Sequence, residues 1–265
     1  MKYKIDHDLH IHSELSFCAG EERFLQTNER ILKYAEEYNL KTICVTDHFW
    51  DEKVDGGPHD YGPSTFSHIS SKLPLPKSYN IRFLFGCETE LNKDLKLGLS
   101  EERMEKFDFI IIPTTHLHFP DETVYTKHIK TPNDTAETWI KRFDAVLNMK
   151  LPFEKVGIAH LTCSLIAPGD REKYLKTLEL LSEYEMKRLF EKAAMLGCGI
   201  EINISSFSDE EADIILRPYK IAKACGCKFY LGSDAHVPRE FEKPHEVFKK
   251  VIILLDLKEE DKFVI

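Results

Sequence analysis

Residues 8–12 read Asp-Leu-His-Ile-His (DLHIH), with another acid and another imidazole just upstream as Asp6 and His7. A strand places residues i and i+2 on one face, so Asp8, His10 and His12 are expected to point one way and Leu9 and Ile11 the other. One histidine on a strand could simply be exposed or be hydrogen-bonded inside. A His-x-His pair behind an acid is a poor way to build core, and it reads as part of a metal site because neutral imidazole is the commonest metal ligand.

The surrounding chain repeats the same pattern. Seven runs rich in Val, Ile and Phe, at 4–12, 41–45, 81–87, 107–112, 155–160, 198–204 and 228–232, alternate with amphipathic segments at 28–38, 135–147, 184–196 and 210–225. Asn or Gly follows several of these helical segments, as in EYNLKTICV (37–45) and MLGCGIEIN (195–203), the expected stop before a strand. Strand-helix alternation means parallel strands joined by right-handed crossovers. Seven units over 265 residues predict one α/β domain, residues 1–265, closed as a barrel; an open doubly wound sheet is the alternative. The least regular stretch, 49–77, is longer than a usual connection and reads as a functional loop or lid.

Composition narrows the function. The chain is 42% hydrophobic and 31% charged, as in a soluble globular protein, and no stretch approaches the ~20 apolar residues of a membrane span. The N-terminal MKYKIDHD has no apolar run of a signal peptide, so a cytoplasmic protein without a membrane partner is expected. A formal charge of −9 argues against holding long nucleic acid on a broad basic surface, and leaves room for a small anionic substrate. Seven cysteines lack C-x2-C spacing and read mostly as small buried hydrophobes, Cys18 excepted.

In α/β barrels chemistry sits at the carboxyl ends of the strands. Those ends carry His10 and His12; Asp47 and His48 in VTDH; Glu88 and Glu90 in GCETE; His116 and His118 in TTHLH; His160 in GIAH; and Asp234 and His236 in GSDAH. Any one could be a helix cap or a hydrogen-bonded core histidine, but in a barrel they converge on one pocket. Eight or nine ligands exceed what a single ion needs, so two or three divalent cations are expected, with Glu88 bridging a pair. A histidine-rich set with carboxylates suits Zn, Mn or Fe better than Mg or Ca. Such a cluster serves to activate water near neutral pH and to stabilise a phosphoryl displacement.

The ordered set DLHIHS, VTDH, GCETE, TTH, GIAHL, EIN and GSDAH, running from Asp8 to His236, resembles the PHP family, named for polymerase and histidinol phosphatase. The resemblance implies a distorted (β/α)7 TIM-like barrel, a trinuclear metal site and phosphoesterase activity. Its ligands fall on His10, His12, His48, Glu88, His116, His160, Asp234 and His236. One position departs: where many relatives of the phosphatase branch carry histidine, this chain has Cys18. Either the thiolate is a soft ligand, or Cys18 is a bystander and Glu21 or Glu22 stands in.

The remaining candidates are less constrained. His118 reads as a general acid to the leaving group or as a partner of another ligand. Arg239 could fork onto a phosphate or be a solvated helix-start residue; Lys127 and Lys130 are weaker. His7, His59, His68, His128 and His245 lack motif context and read as surface or loop residues, with His59 and His68 placed to touch substrate. The expected function is a metal-dependent phosphatase acting on a small phosphomonoester, histidinol phosphate first, with Glu88, Asp234 and His118 as catalytic residues and Arg239 on the substrate. The alternatives are a phosphodiesterase or 3'-5' nuclease on nucleotides or cyclic phosphates, and a non-catalytic metal-binding regulatory protein.

Overall fold

Eight strands stand among the described residues of this computed structural model, which are 1–57, 64–203 and 205–265. They are β1 (His7–Ile11), β2 (Thr42–Val45), β3 (His48–Phe49), β4 (Arg82–Thr89), β5 (Phe109–Pro113), β6 (Val156–Ala159), β7 (Gly199–Ile202) and β8 (Lys228–Leu231). All pair in parallel in the order β1-β2-β4-β5-β6-β7-β8. β3 lies off this path on β4, where His48 faces Glu88 and Phe49 faces Thr89. All seven expected strands are present. A two-residue strand has no periodicity, so β3 could not be told from the end of β2.

The seam between β1 and β8 closes beyond the ends of the strands. Asp234 N donates to His10 O at 2.8 Å and His12 N to Ala235 O at 3.0 Å. Lower down, Leu231 N donates to the imidazole Nε2 of His7 at 3.0 Å. His7 is therefore buried structure and not the surface residue its context suggested: one side chain satisfies an amide the ladder leaves open.

Helices cover the outside. They are α1 (Asn28–Glu37), α2 (Phe66–Ile69), α3 (Glu101–Met104), α4 (Pro132–Leu147), α5 (Arg171–Leu180), α6 (Glu183–Leu196), α7 (Ala212–Ile215), α8 (Arg217–Ala224) and α9 (Glu242–Leu254). Local sequence fixes their ends: Thr131 and Asp134 form a capping box ahead of α4, and Gly197 ends α6 in the left-handed region at φ 76°. The segment expected as one helix over 210–225 is two, because Pro218 can sit only in the first turn of a new helix. Among the described residues no helix is long and apolar enough to cross a membrane. Stretch 49–77 holds β3 and α2, and the part of it at 58–63, with His59, lies outside the described residues.

Inside the barrel, Leu9, Cys44, Leu84, Phe109, Ile111, Ala159 and Tyr230 pack together, joined by Phe263 from the C-terminal tail. The interior is thus a filled core, and polar chemistry is confined to one end of it. Five cysteines (Cys44, Cys87, Cys163, Cys198, Cys227) are buried, Cys225 is half-buried and Cys18 is exposed.

Arg142 on α4 is 1% exposed and ties that helix to the loops over the site. Its guanidinium donates to Thr114 O at 3.0 Å, Thr123 O at 2.6 Å and Leu91 O at 3.2 Å. Arg142→Leu leaves three carbonyls without those donors and is expected to lower unfolding free energy by ~3–5 kcal/mol. Urea titration checks this as a lower midpoint at unchanged slope.

Candidate metal centre

β1 does not keep a simple alternation. Its register with β2 shifts between Asp8 and Ile11. Leu9 packs inside the barrel, and Ile11 packs outward with Ile31, Tyr34 and Ala35 of α1. His10 and His12 both reach the site, while Asp8 is turned away to accept from Tyr34 Oη at 2.9 Å and Ser233 N at 3.0 Å. The expectation that Asp8 shares the ligand face is corrected: the irregularity re-aims the strand between Asp8 and His10. Burial, opposed by these hydrogen bonds, pushes the Asp8 carboxyl up to about 6.

Five of the six inward imidazoles are held from behind, while His48 turns its Nδ1 toward Glu88 Oε2 and its Nε2 toward Cys18 Sγ. His10 Nδ1 meets Glu201 Oε1 at 2.6 Å, His12 Nδ1 meets Ser16 Oγ at 2.9 Å, and His160 Nδ1 meets Thr115 Oγ1 at 2.8 Å. His236 Nδ1 lies 2.7 Å from Asp234 O, and His116 Nδ1 bonds Glu90 Oε1. With Nδ1 engaged, Nε2 of each is the nitrogen left to face a cation, and the ring orientation is fixed. Asp47 works one step further back: it accepts from Ser13 N, Ser13 Oγ and Ser16 Oγ, each at 2.7 Å, and so braces the serine behind His12.

The inward atoms form three overlapping groups: His12, His48 and His236; His10, His12, Glu88 and Asp234; and Glu88, His116 and His160. Within each group the ligand atoms lie within 4.8 Å of one another. Glu88 joins two of them. Its Oε2 lies 2.9 Å from His48 Nδ1, 3.4 Å from His12 Nε2 and 3.6 Å from His10 Nε2, and its Oε1 lies 3.1 Å from His160 Nε2. Asp234 Oδ1 is 3.1 Å from His12 Nε2 and 3.3 Å from His10 Nε2. His160 and Asp234 hold positive φ, 28° and 56°, conformations that non-glycine residues adopt at a cost. All eight His, Asp and Glu residues expected as ligands come together here.

Electrostatics say that this cluster wants positive charge. Burial would keep His10 and His12 neutral, yet Glu201, Asp234 and Glu88 overcome it at His10, which titrates well above the usual imidazole range. Asp234 and Glu88 do the same at His12, up to about 9. Burial likewise opposes ionisation of Glu88, and His10 with His48 more than reverse this, holding the carboxyl well below its ordinary range. Protons on imidazole thus stand where divalent cations would, and buried carboxylate between imidazole nitrogens is a donor set that fits them.

A prediction follows from the sign. Without cations, the raised imidazoles stabilise the fold in their protonated form; that contribution is complete below pH ~6.5 and is lost as pH rises through about 9. Cations must displace the same protons. At pH 7, Zn or Mn titrated into cation-free protein is expected to release at least about one proton per chain, and affinity should rise toward pH 9. Calorimetry in two buffers of different ionisation enthalpy reads the proton count directly.

Other expected residues fall as follows. Cys18 Sγ is 3.4 Å from His48 Nε2, beside the cluster but in none of its three groups. Glu22 is ion-paired to Arg239, and Glu21 is exposed. Arg239 lies in the turn at Pro238–Phe241 and lines a cavity together with Asp234 and His236. His118 is half-buried with its ring edge-on to His116 at 5.0 Å; burial, then His116, pushes it down to about 4. Lys127 and Lys130 are exposed, as is His128. His68 bonds Leu15 O at 2.9 Å. His245 is not a surface residue: it is 5% exposed, with Nε2 2.8 Å from Tyr34 Oη.

Glu201 was not expected at the site. It is fully buried, orients His10, and accepts from His160 N at 2.6 Å. The signal was present in GIEI, an acid in the middle of an apolar strand, which costs too much to bury without a partner.

A parallel barrel with a buried, carboxylate-joined histidine cluster at the carboxyl ends of its strands defines a class, hydrolases built around a polynuclear metal site. The chain belongs to the PHP domain family, whose signature matches residues 8–205. It is 30% identical over 235 residues to a "Probable phosphatase" of Thermoanaerobacter sp. (strain X514), covering 84% of this chain and 79% of that protein. It is 24% identical over 212 residues to a "Probable phosphatase" of Caldicellulosiruptor bescii, covering 78% and 72%. Its fold is similar to the histidinol phosphate phosphatase of Lactococcus lactis subsp. lactis, solved with zinc, L-histidinol and phosphate: TM-score 0.58 and 18% identity, over 92% of this chain and 93% of that one. Family, relatives and site together make this chain a phosphatase-class hydrolase.

Proposed function

We propose that the chain hydrolyses a small phosphomonoester with two or three divalent cations of zinc, manganese or iron held by His10, His12, His48, Glu88, His116, His160, Asp234 and His236. The observation that carries this reading is the position of Glu88, one buried carboxylate facing four imidazoles. Bound there, the cations supply Lewis acidity and a nucleophile from water at neutral pH. The protein's share is geometric: Glu201, Ser16, Thr115 and Glu90 fix the rings, and Glu88 and Asp234 fix the spacing. Cys18 supplements His48 as a soft donor at the outer group. His118 is neutral at pH 7, so it donates a hydrogen bond to the leaving oxygen and is a poor proton source there. Arg239 is placed to meet phosphate oxygens at the cavity mouth.

Histidinol phosphate is the first compound to assay, because the family resemblance and the Lactococcus lactis fold both point to it. Metal analysis by plasma mass spectrometry and phosphate release belong on one sample. Two to three equivalents with hydrolysis of p-nitrophenyl phosphate well above bis-p-nitrophenyl phosphate is the expected result. A preference for the diester would move the reading to a phosphodiesterase, and a full metal complement without turnover of either would favour a binding protein.

A further inference from the structure

Beside the metal cluster lies a cavity of about 650 Å³ between the loop after β7 and the start of α9, and Asp234 and His236 form part of its wall. Its volume suits a small organic molecule. The rest of the wall has two characters. Phe207, Val247 and Phe248 give an apolar side, and Asn203, Arg239 and Lys243 give a side of hydrogen-bond donors.

Two of these donors, on Asn203 and Lys243, matter because they are uncommitted. Asn203 is 3% exposed; its Oδ1 accepts from Ser205 N at 3.2 Å, and its Nδ2 is buried without an acceptor among the described residues. Lys243 has no side-chain ion pair or hydrogen bond among the described residues, unlike Arg239, which holds Glu22. Of the carboxylates in the wall, Asp234 faces His10 and His12, and Glu240, which is exposed, accepts from His236 N at 2.8 Å through one oxygen. A buried donor without an acceptor and a cation without a counter-charge both select an anionic, acceptor-rich ligand.

We propose that this cavity receives the organic part of the substrate and selects phosphomonoesters in which an aromatic or aliphatic body carries a second anionic group. The inference rests on the phosphatase reading and narrows it. The apolar body lies against Phe207, Val247 and Phe248, and the second anion meets Lys243 and the Asn203 amide. Histidinol phosphate carries an ammonium in place of that anion, and neither Lys243 nor the unpartnered Asn203 Nδ2 can accept from it.

The test compares 4-(carboxymethyl)phenyl phosphate with 4-(aminomethyl)phenyl phosphate on the metal-loaded full chain. A methylene insulates each charge from the phenol, so the leaving groups stay alike. The expected ratio of kcat/KM is about tenfold or more in favour of the carboxylate, carried by KM. Lys243 is exposed, so its variants should fold, with circular dichroism and metal content as controls. In Lys243→Ala the ratio should fall toward one, and in Lys243→Glu it should invert. A ratio at or below one in the unaltered protein, or one that Lys243→Glu leaves unmoved, overturns the inference while the phosphatase reading stands. No hydrolysis of either ester by protein with a full metal complement overturns that reading itself.

Discussion

Glu88→Gln should abolish phosphate release and empty the metal centre while leaving the barrel folded. The substitution keeps the shape of the side chain and removes its charge, so it isolates the electrostatic role. Glu88 is 1% exposed and lies among His10, His12, His48 and His160. Two of the three ligand groups lose their shared anion at once. Removing even a residue that only orients a metal ligand typically costs ~10–100-fold in affinity or activity. Removing the carboxylate that joins two groups is expected to exceed that, beyond ~1,000-fold in kcat/KM, with metal content falling below one equivalent. Folding should survive, because without cations the main consequence is that His10 and His48 lose a counter-charge and titrate lower, which burial already favours. Retained turnover in metal-replete Glu88→Gln would mean that this cluster is not the reaction centre. Collapse of the fold would show instead that Glu88 is needed for the core, and Asp234→Asn, at the less enclosed edge of the cluster, then separates the two roles.

Why the members of the cluster could be read from sequence, and their supports only partly, follows from how each is encoded. A candidate ligand such as His160 or Asp234 stands within three residues of the end of an apolar run, and the barrel brings such positions together. His48 was legible for that reason even though it belongs to β3. Of the residues that aim these side chains, Glu90 and Asp47 share that address, but the others do not. Glu201 lies inside β7, and its partners His10 and His160 are 191 and 41 positions away. The irregularity in β1 leaves the composition of DLHIH unchanged, so alternation misplaced Asp8 without any local warning. His7 and His245 were read as surface because nothing near them in sequence announces the amide of Leu231 or the hydroxyl of Tyr34 that each one meets. α9, whose Lys243 lines the cavity, was anticipated only through Arg239 read as a helix-start residue, and its extent was not, because the Pro- and charge-rich run PREFEKPHE hides the apolar spacing.

Gly232→Ala should disable the centre from outside its ligand set. A Cβ at this position would overlap Glu201 Oε1 and come within 2.6 Å of His10 Cβ. Neither neighbour can yield cheaply. Glu201 is pinned between His10 Nδ1 and the amide of His160, each at 2.6 Å, and His10 is carried on β1 against the seam. The added methyl must therefore push Glu201 off His10, and with it the amide contact that helps hold His160 at its positive φ. His10 and His160 belong to different ligand groups, so one methyl is expected to weaken both. The strain should lower stability by ~1–3 kcal/mol, as overpacking does elsewhere. The functional loss should be larger in proportion, at least ~100-fold in kcat/KM at limiting metal, because two ligands lose their support together. Excess metal should recover part of this, since Gly232→Ala leaves every ligand in the sequence. Glu201→Gln gives the comparison: it keeps the space and the hydrogen-bonding reach but removes the charge. If Gly232→Ala proves harmless while Glu201→Gln does not, close packing at Gly232 is not what positions the carboxylate; if both are harmless, Glu201 has no role in holding His10 and His160.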